Sequence, residues 1–311
     1  MVDLEYLNSI HLVSNPRIQR AIARSVLLPN FEIFRQVEIV VENIERIPHH
    51  DNVIFAMNHT DRFNYWPFQY KLWRLRGYPF TTVWVKGKYY RNAILGKALD
   101  LCNLIPVPSM GYLIEEFYRK KLKRKIDKDT YRIMRDIIDE KVNDADLVTQ
   151  YLAESARLFG DHFVEFIRDY YEKLMARVAE LSLMALFEKR LSVIIFPEGT
   201  RGAQLGEGRT GIAQLALHTG KTVIPIGCNN SNALYPGSSP FAKSGCVTYR
   251  VGEPLTLDDQ LKDFRIAEPY RLLSRESQKR YGKQFEATTR LIMDRINSLL
   301  DASYRKSSAG A

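Results

Sequence analysis

Short apolar runs that stop at polar residues recur along this chain. Residues 191–196 are apolar but for Ser192, with β-branched Val193, Ile194 and Ile195 at their centre; they are too few for a helix and are ended by Pro197 and Gly199. They predict a buried strand that hands over to the polar loop Glu198-Gly199-Thr200-Arg201. Residues 53–57 have the same build and deliver Asn58-His59-Thr60-Asp61-Arg62-Phe63-Asn64. Strands are also predicted over 37–41, over 81–85 with Lys86 at the end, over 223–227 and over 247–251. Between them, apolar positions take helical spacing: an aromatic helix starts at Tyr65, another covers 212–218, and Tyr281, Phe285, Thr288, Ile292, Ile296 and Leu299 mark an amphipathic C-terminal helix. Strands interleaved with helices predict an α/β fold with a mixed, mostly parallel sheet flanked by helices. In such sheets ligands bind where the strands end.

The interval 111–190 is helical throughout in pattern. Tyr131, Met134, Ile138 and Val142 form one apolar face; Phe163, Phe166, Ile167, Tyr170, Leu174 and Val178 form another. The run Arg119-Lys120-Lys121-Leu122-Lys123-Arg124-Lys125 within it is either a solvated face or a membrane-docking one. Near the N-terminus, residues 16–28 place Ile18, Ile22 and Val26 opposite Arg17, Arg20 and Arg24, a basic amphipathic helix ended by Pro29. It lies in an acidic headgroup layer or packs on its own domain. The chain therefore divides into an N-terminal helical region (1–35), an α/β domain (36–110 and 191–260), a helical segment (111–190) and a C-terminal helix with a tail (261–311). The tail, 306–311, is expected to be disordered.

Charge narrows the partners. The 311 residues carry a formal charge of +9 and a pI near 9.3, which favours anionic partners: nucleic acid, an acidic membrane surface or a phosphorylated substrate. No zinc-finger, aromatic RNA-binding or basic-zipper pattern accompanies the charge, so nucleic acid is not expected. No run reaches the eighteen or so apolar residues of a membrane span. Asp3 and Glu5 do not suit a secretory signal, and a cytoplasmic protein peripheral to the membrane is expected. Cys102, Cys228 and Cys246 are scattered without metal-ligand spacing and read as buried reduced thiols, with no metal site.

His59 carries the chemical question. After a strand, an imidazole is either a structural hydrogen-bonding group or a base held at one nitrogen by Asp61 or Asn64 and free at the other.

The loops resemble those of the glycerolipid acyltransferase family, which includes 1-acyl-glycerol-3-phosphate acyltransferases. Its motif Phe-Pro-Glu-Gly-Thr-Arg stands complete at 196–201. Its Asn-His motif stands at Asn58-His59, with Asn64 where the family has Asp. Lys86 with Ile105-Pro106-Val107, and Val223-Ile224-Pro225-Ile226-Gly227, look like the other two motifs. The family usually crosses the interval 111–190 with one short helix, which makes this segment an insertion that serves as a lid, a dimer contact or a docking element.

The resemblance implies direct acyl transfer from acyl-CoA or acyl carrier protein to a lysophospholipid hydroxyl, with no metal or other cofactor. His59 is then the general base. Arg201 and Lys86 clamp the acceptor phosphate, and Glu198, Gly199 and Thr200 shape the acceptor site. An Asn at position 64 offers no charge to an imidazolium, and in the serine-protease triad the Asp-to-Asn change costs about 10⁴-fold in turnover. Either Asp61 orients the base, or the chain is a weakened relative that binds lipid or docks on membranes.

Overall fold

The structure, a computed structural model, describes residues 1–141 and 145–306. In chain order its helices are α1 (Leu4–Asn8), α2 (Arg17–Ile22), α3 (Trp66–Leu75), α4 (Ala93–Leu101), α5 (Met110–Leu122), α6 (Lys128–Ile138), α7 (Ala145–Phe159), α8 (Phe163–Leu183), α9 (Gly211–Thr219), α10 (Ser231–Leu234) and α11 (Arg275–Ser298). Its strands are β1 (Val37–Glu42), β2 (Ile54–Met57), β3 (Thr81–Lys86), β4 (Ile105–Val107), β5 (Ser192–Ile195), β6 (Val223–Asn229) and β7 (Gly245–Val251). They form one seven-stranded sheet in the order β1-β7-β6-β2-β5-β3-β4. β2 pairs in parallel with β5 and with β6, β3 with β5, and β1 with β7, while β6 and β7 are antiparallel. The expected mixed, mostly parallel α/β sheet is what the chain forms.

β2, β5 and β6 are buried at every position. That suits near-continuous Val, Ile and Phe in strands covered on both faces. β7 alternates instead, with Val247, Tyr249 and Val251 inward, as one-sided burial requires.

The chain clusters into two compact units. One contains residues 1–10, 85–97 and 106–179, the other residues 11–84, 98–105 and 180–311. The first is helical. In it the Val2 N–H donates to the Tyr112 hydroxyl (2.8 Å) and the Arg91 guanidinium pairs with Glu115 (2.6 Å) and Glu116 (2.7 Å). Met134 and Ile138 are buried as their spacing predicts, but Phe166 is 50% exposed. Val142 lies outside the described residues. Lys120, Lys121, Lys123, Arg124 and Lys125 are exposed, while Arg119 faces Glu116 at 3.6 Å.

The second unit holds most of the sheet, and three expectations are corrected there. Pro29 does not end the N-terminal helix. Beyond α2 the chain continues as π-helical turns Ala23–Leu27 and Pro29–Phe34, the latter with Pro29 in its first turn, where the missing N–H has no bond to lose. Of the cysteines only Cys228 is fully buried; Cys102 and Cys246 are half-buried, and all three are free. Lys306 is placed, its N–H donating to Asn297 Oδ1 at 2.9 Å, so it is no part of a loose tail; residues 307–311 lie outside the described residues.

Candidate active site

The two polar loops meet because of strand register. β2 and β5 are neighbours with Ile54 opposite Val193 and Ala56 opposite Ile195, so three residues past Ala56 the register sets His59 beside Glu198. The Glu198 carboxylate lies there. Its Oε1 accepts the His59 backbone N–H at 2.7 Å, and its Oε2 accepts the Gly206 N–H at 2.9 Å. The Gly202 N–H returns a bond to the His59 carbonyl at 3.0 Å. On the other side of β2, the Asn58 amide continues the ladder with β6: its Nδ2 donates to the Cys228 carbonyl (2.9 Å) and its Oδ1 accepts the Cys228 N–H (2.6 Å).

Within that frame the His59 ring is half-buried and stacks on Phe196, with centroids 4.3 Å apart and planes 21° apart. Asp61 is buried. Its Oδ1 accepts the Phe63 N–H (2.8 Å) and its Oδ2 the Thr60 hydroxyl (3.0 Å). Burial raises its pKa; the Phe63 N–H, the neighbouring Ser231 and Thr60 hydroxyls and the Arg201 charge work against that rise. Asn64 is fully buried: its Nδ2 donates to the Asn58 carbonyl at 2.8 Å, while the Tyr249 hydroxyl donates to the Asn64 carbonyl at 2.6 Å. Its Oδ1 is buried with no hydrogen bond from the described residues. A carbonyl partner at Nδ2 fixes which way the amide points, so position 64 presents an acceptor and not a donor.

Gly199 takes a left-handed φ of 64° inside the Phe196–Gly199 turn, and a Cβ there would lie 3.0 Å from Arg209 Nε. Thr200 and Arg201 are exposed at the lip. His59, Asp61, Asn64, Glu198, Gly199, Thr200 and Arg201 thus belong to one unit. Lys86, the last residue of β3, belongs to the helical unit. Two participants were not singled out from the sequence. Arg209 lies over the Gly199 turn, its N–H bonding the Pro197 carbonyl at 2.8 Å, and Tyr304, from beyond α11, accepts the Leu205 N–H at its carbonyl (2.8 Å). Gly206, Gly208 and Gly211 flank Arg209 in the sequence, whereas nothing local signals Tyr304. Among the described residues no group of His, Cys, Asp or Glu is arranged to hold a metal ion, and no helix is long and apolar enough to cross a membrane.

Burial also lifts the Glu198 pKa above its usual 4.5, against the pull of the Gly206 and His59 N–H groups. A folded pKa raised in this way contributes stability below the unfolded value, and that stability is lost as pH rises through the folded one. In Glu198→Gln this pH dependence disappears, and one of the two backbone N–H groups meets an NH₂ instead of an oxygen. Thermal midpoints of this variant are expected to lose the Glu198-dependent fall with rising pH and to lie below those of the wild type at neutral pH by the equivalent of about 1–2 kcal/mol.

Residues 144–229, which contain the Phe-Pro-Glu-Gly-Thr-Arg turn that lies beside His59, match the family model described as Acyltransferase. That match agrees with the motif resemblance. A crystal structure of PlsC, the 1-acyl-sn-glycerophosphate (LPA) acyltransferase of Thermotoga maritima, is similar at a TM-score of 0.40 and 15% identity, over 94% of this chain and 83% of that one. No curated protein matches the sequence.

Proposed function

We propose that this acyltransferase is a glycerolipid enzyme working at a membrane surface. It moves a fatty acyl group from acyl-CoA or acyl carrier protein to a lysophospholipid, 1-acyl-glycerol-3-phosphate, and yields phosphatidate. The observation that carries the reading is the register-set pairing of the His59 loop with the Glu198–Arg201 loop.

His59 takes the proton of the acceptor hydroxyl as its oxygen attacks the thioester carbon; the C–S bond breaks and the thiolate leaves with that proton. Asn64, whose Nδ2 is committed to the Asn58 carbonyl, holds the loop that carries His59. Arg201 binds the acceptor phosphate as a planar fork. Glu198, whose two oxygens already hold backbone N–H groups, supports the acceptor site by fixing the loops. Membrane association is supported by α2 and the turn after it: Ile18 and Val26 are 39% and 37% exposed, beside exposed Arg17, Arg20 and Arg24.

The test is acyl transfer from a labelled thioester to lysophosphatidate in anionic vesicles. If neither donor acylates any lysolipid or glycerol 3-phosphate, the proposal fails. In the same assay Asn64→Asp is expected to be no more active than wild type. It is also expected to be less stable by about 1–3 kcal/mol, because a carboxylate cannot donate to the Asn58 carbonyl and joins Asp61 in a buried space. A variant that is equally stable and several-fold more active would instead mark the natural chain as a weakened, lipid-binding relative.

A further inference from the structure

The sheet register gathers two further surface turns at the end where His59 stands. β2 delivers His59 at its C-terminal end, and β6, parallel to it, ends at Asn229 on the same side. β7 runs back from there, and Val37 of β1 lies opposite Gly245 at the start of β7. The π-helical turn Pro29–Phe34, which leads into β1, and the connection from α10 to β7 therefore both belong to the His59 end of the sheet. They are bonded to each other: buried Asn30 accepts the Ala242 N–H at its Oδ1 (3.0 Å), and the Gln36 carbonyl accepts the Gly245 N–H (3.1 Å). Tyr235, at the start of that connection, has its ring 5.3 Å from the ring of Phe63 in the His59 loop. All of these residues lie in the second unit.

The anchored turns carry exposed apolar side chains. Ile33, Phe34 and Phe241 are 65%, 73% and 60% exposed. Single apolar residues scattered on a surface need no explanation, but three on two turns tied by a hydrogen bond make a patch. The charge around it has one sign. Arg35 follows Phe34, Lys243 stands two residues after Phe241, and both are exposed, as is Arg62 in the His59 loop. Residues 232–244 contain no Asp or Glu, and the single carboxylate within 29–36, Glu32, pairs with Arg74 Nε at 3.3 Å and accepts the Tyr70 hydroxyl. Aromatic and aliphatic tips with cations beside them complement an anionic lipid surface, rings among the upper acyl chains and cations on the phosphates. A second copy of the same face would instead set like charges against each other.

We propose that the face formed by Ile33, Phe34 and Phe241 enters an anionic lipid surface and so turns the His59 end of the sheet toward the membrane. The inference rests on the reading of the protein as an enzyme of membrane surfaces, and adds which face touches the lipid. Its test is co-sedimentation of the full chain with vesicles of phosphatidylcholine and phosphatidylglycerol, and with vesicles of phosphatidylcholine alone. Phe34→Ser/Phe241→Ser is expected to partition onto the mixed vesicles more weakly than wild type by about tenfold or more, with its thermal midpoint unchanged because both rings already stand largely in water. Equal partitioning of the variant and a binding wild type overturns this face and leaves the membrane-surface reading standing; a wild type that binds neither vesicle overturns both. Arg35→Gln/Lys243→Gln is expected to lose most of the preference for mixed over neutral vesicles, and an unchanged preference overturns the charge match. Phe241→Trp is expected to add fluorescence that brominated phosphatidylcholine in the vesicles quenches. Added fluorescence that stays unquenched, or a double variant that alters self-association and not partitioning, would assign the face to a protein contact.

Discussion

His59→Ala is expected to lower acyl transfer by about 10²–10⁴-fold, the usual range for removing a general base, with the fold intact. The backbone groups of residue 59 hold the loop, the N–H to Glu198 and the carbonyl to Gly202, and alanine keeps both. The lost side chain takes its stacking on Phe196 with it. Initial rates at saturating thioester, beside a thermal midpoint for each protein, separate the two effects. A variant that retains a third of the activity would remove His59 from the chemistry, while an equally large loss with a collapsed midpoint would assign it to the fold.

The second large effect is on stability, far from the His59 loop in sequence. Gly227 sits in β6 where a Cβ would lie 2.5 Å from Leu299 Cβ and 2.7 Å from the Leu299 carbonyl oxygen. That carbonyl just beyond α11 accepts from Asn229 Nδ2 (3.2 Å) and Arg250 Nη1 (3.1 Å), and Arg250 also pairs with Asp301 at 2.7 Å. Backbone cannot step aside as a flexible side chain can, so Gly227→Val must push the end of α11 off the sheet. The expected cost is roughly 3 kcal/mol, a fall in melting temperature on the order of 6 °C. Because Tyr304 follows that displaced end and braces Leu205 in the Glu198 loop, activity should fall with stability. A denaturant titration with unchanged slope and midpoint would show that the sheet and helix can part without loss.

These two positions show what was legible in the sequence. The strands were, because β-branched runs closed by polar residues have few other folded solutions, and the residues at their ends were candidates for the same reason. The function of each candidate was less accessible. Glu198 looked like a group for substrate, yet both of its oxygens hold backbone N–H groups, one of them 139 residues away; only the sheet register reveals that. The orientation of the Asn64 amide depends on one carbonyl six residues back along a folded loop. Pro29 reads as a stop by local rules, but a π-helical turn with proline at its start continues the helical path. Phe166 has the spacing of a core residue and is exposed, since periodicity identifies a face without saying what covers it. Tyr304 enters from a segment with no distinguishing pattern.

The distance between the His59 and Glu198 loops is fixed by ladder bonds between adjacent strands, not by the chain that joins them. A flexible connection costs only about 0.6 kcal/mol for each doubling of its length, so the length of whatever joins β4 to β5 weighs little on the pairing of the two loops. A chain with a much shorter connection between β4 and β5 would hold the same two loops in the same register.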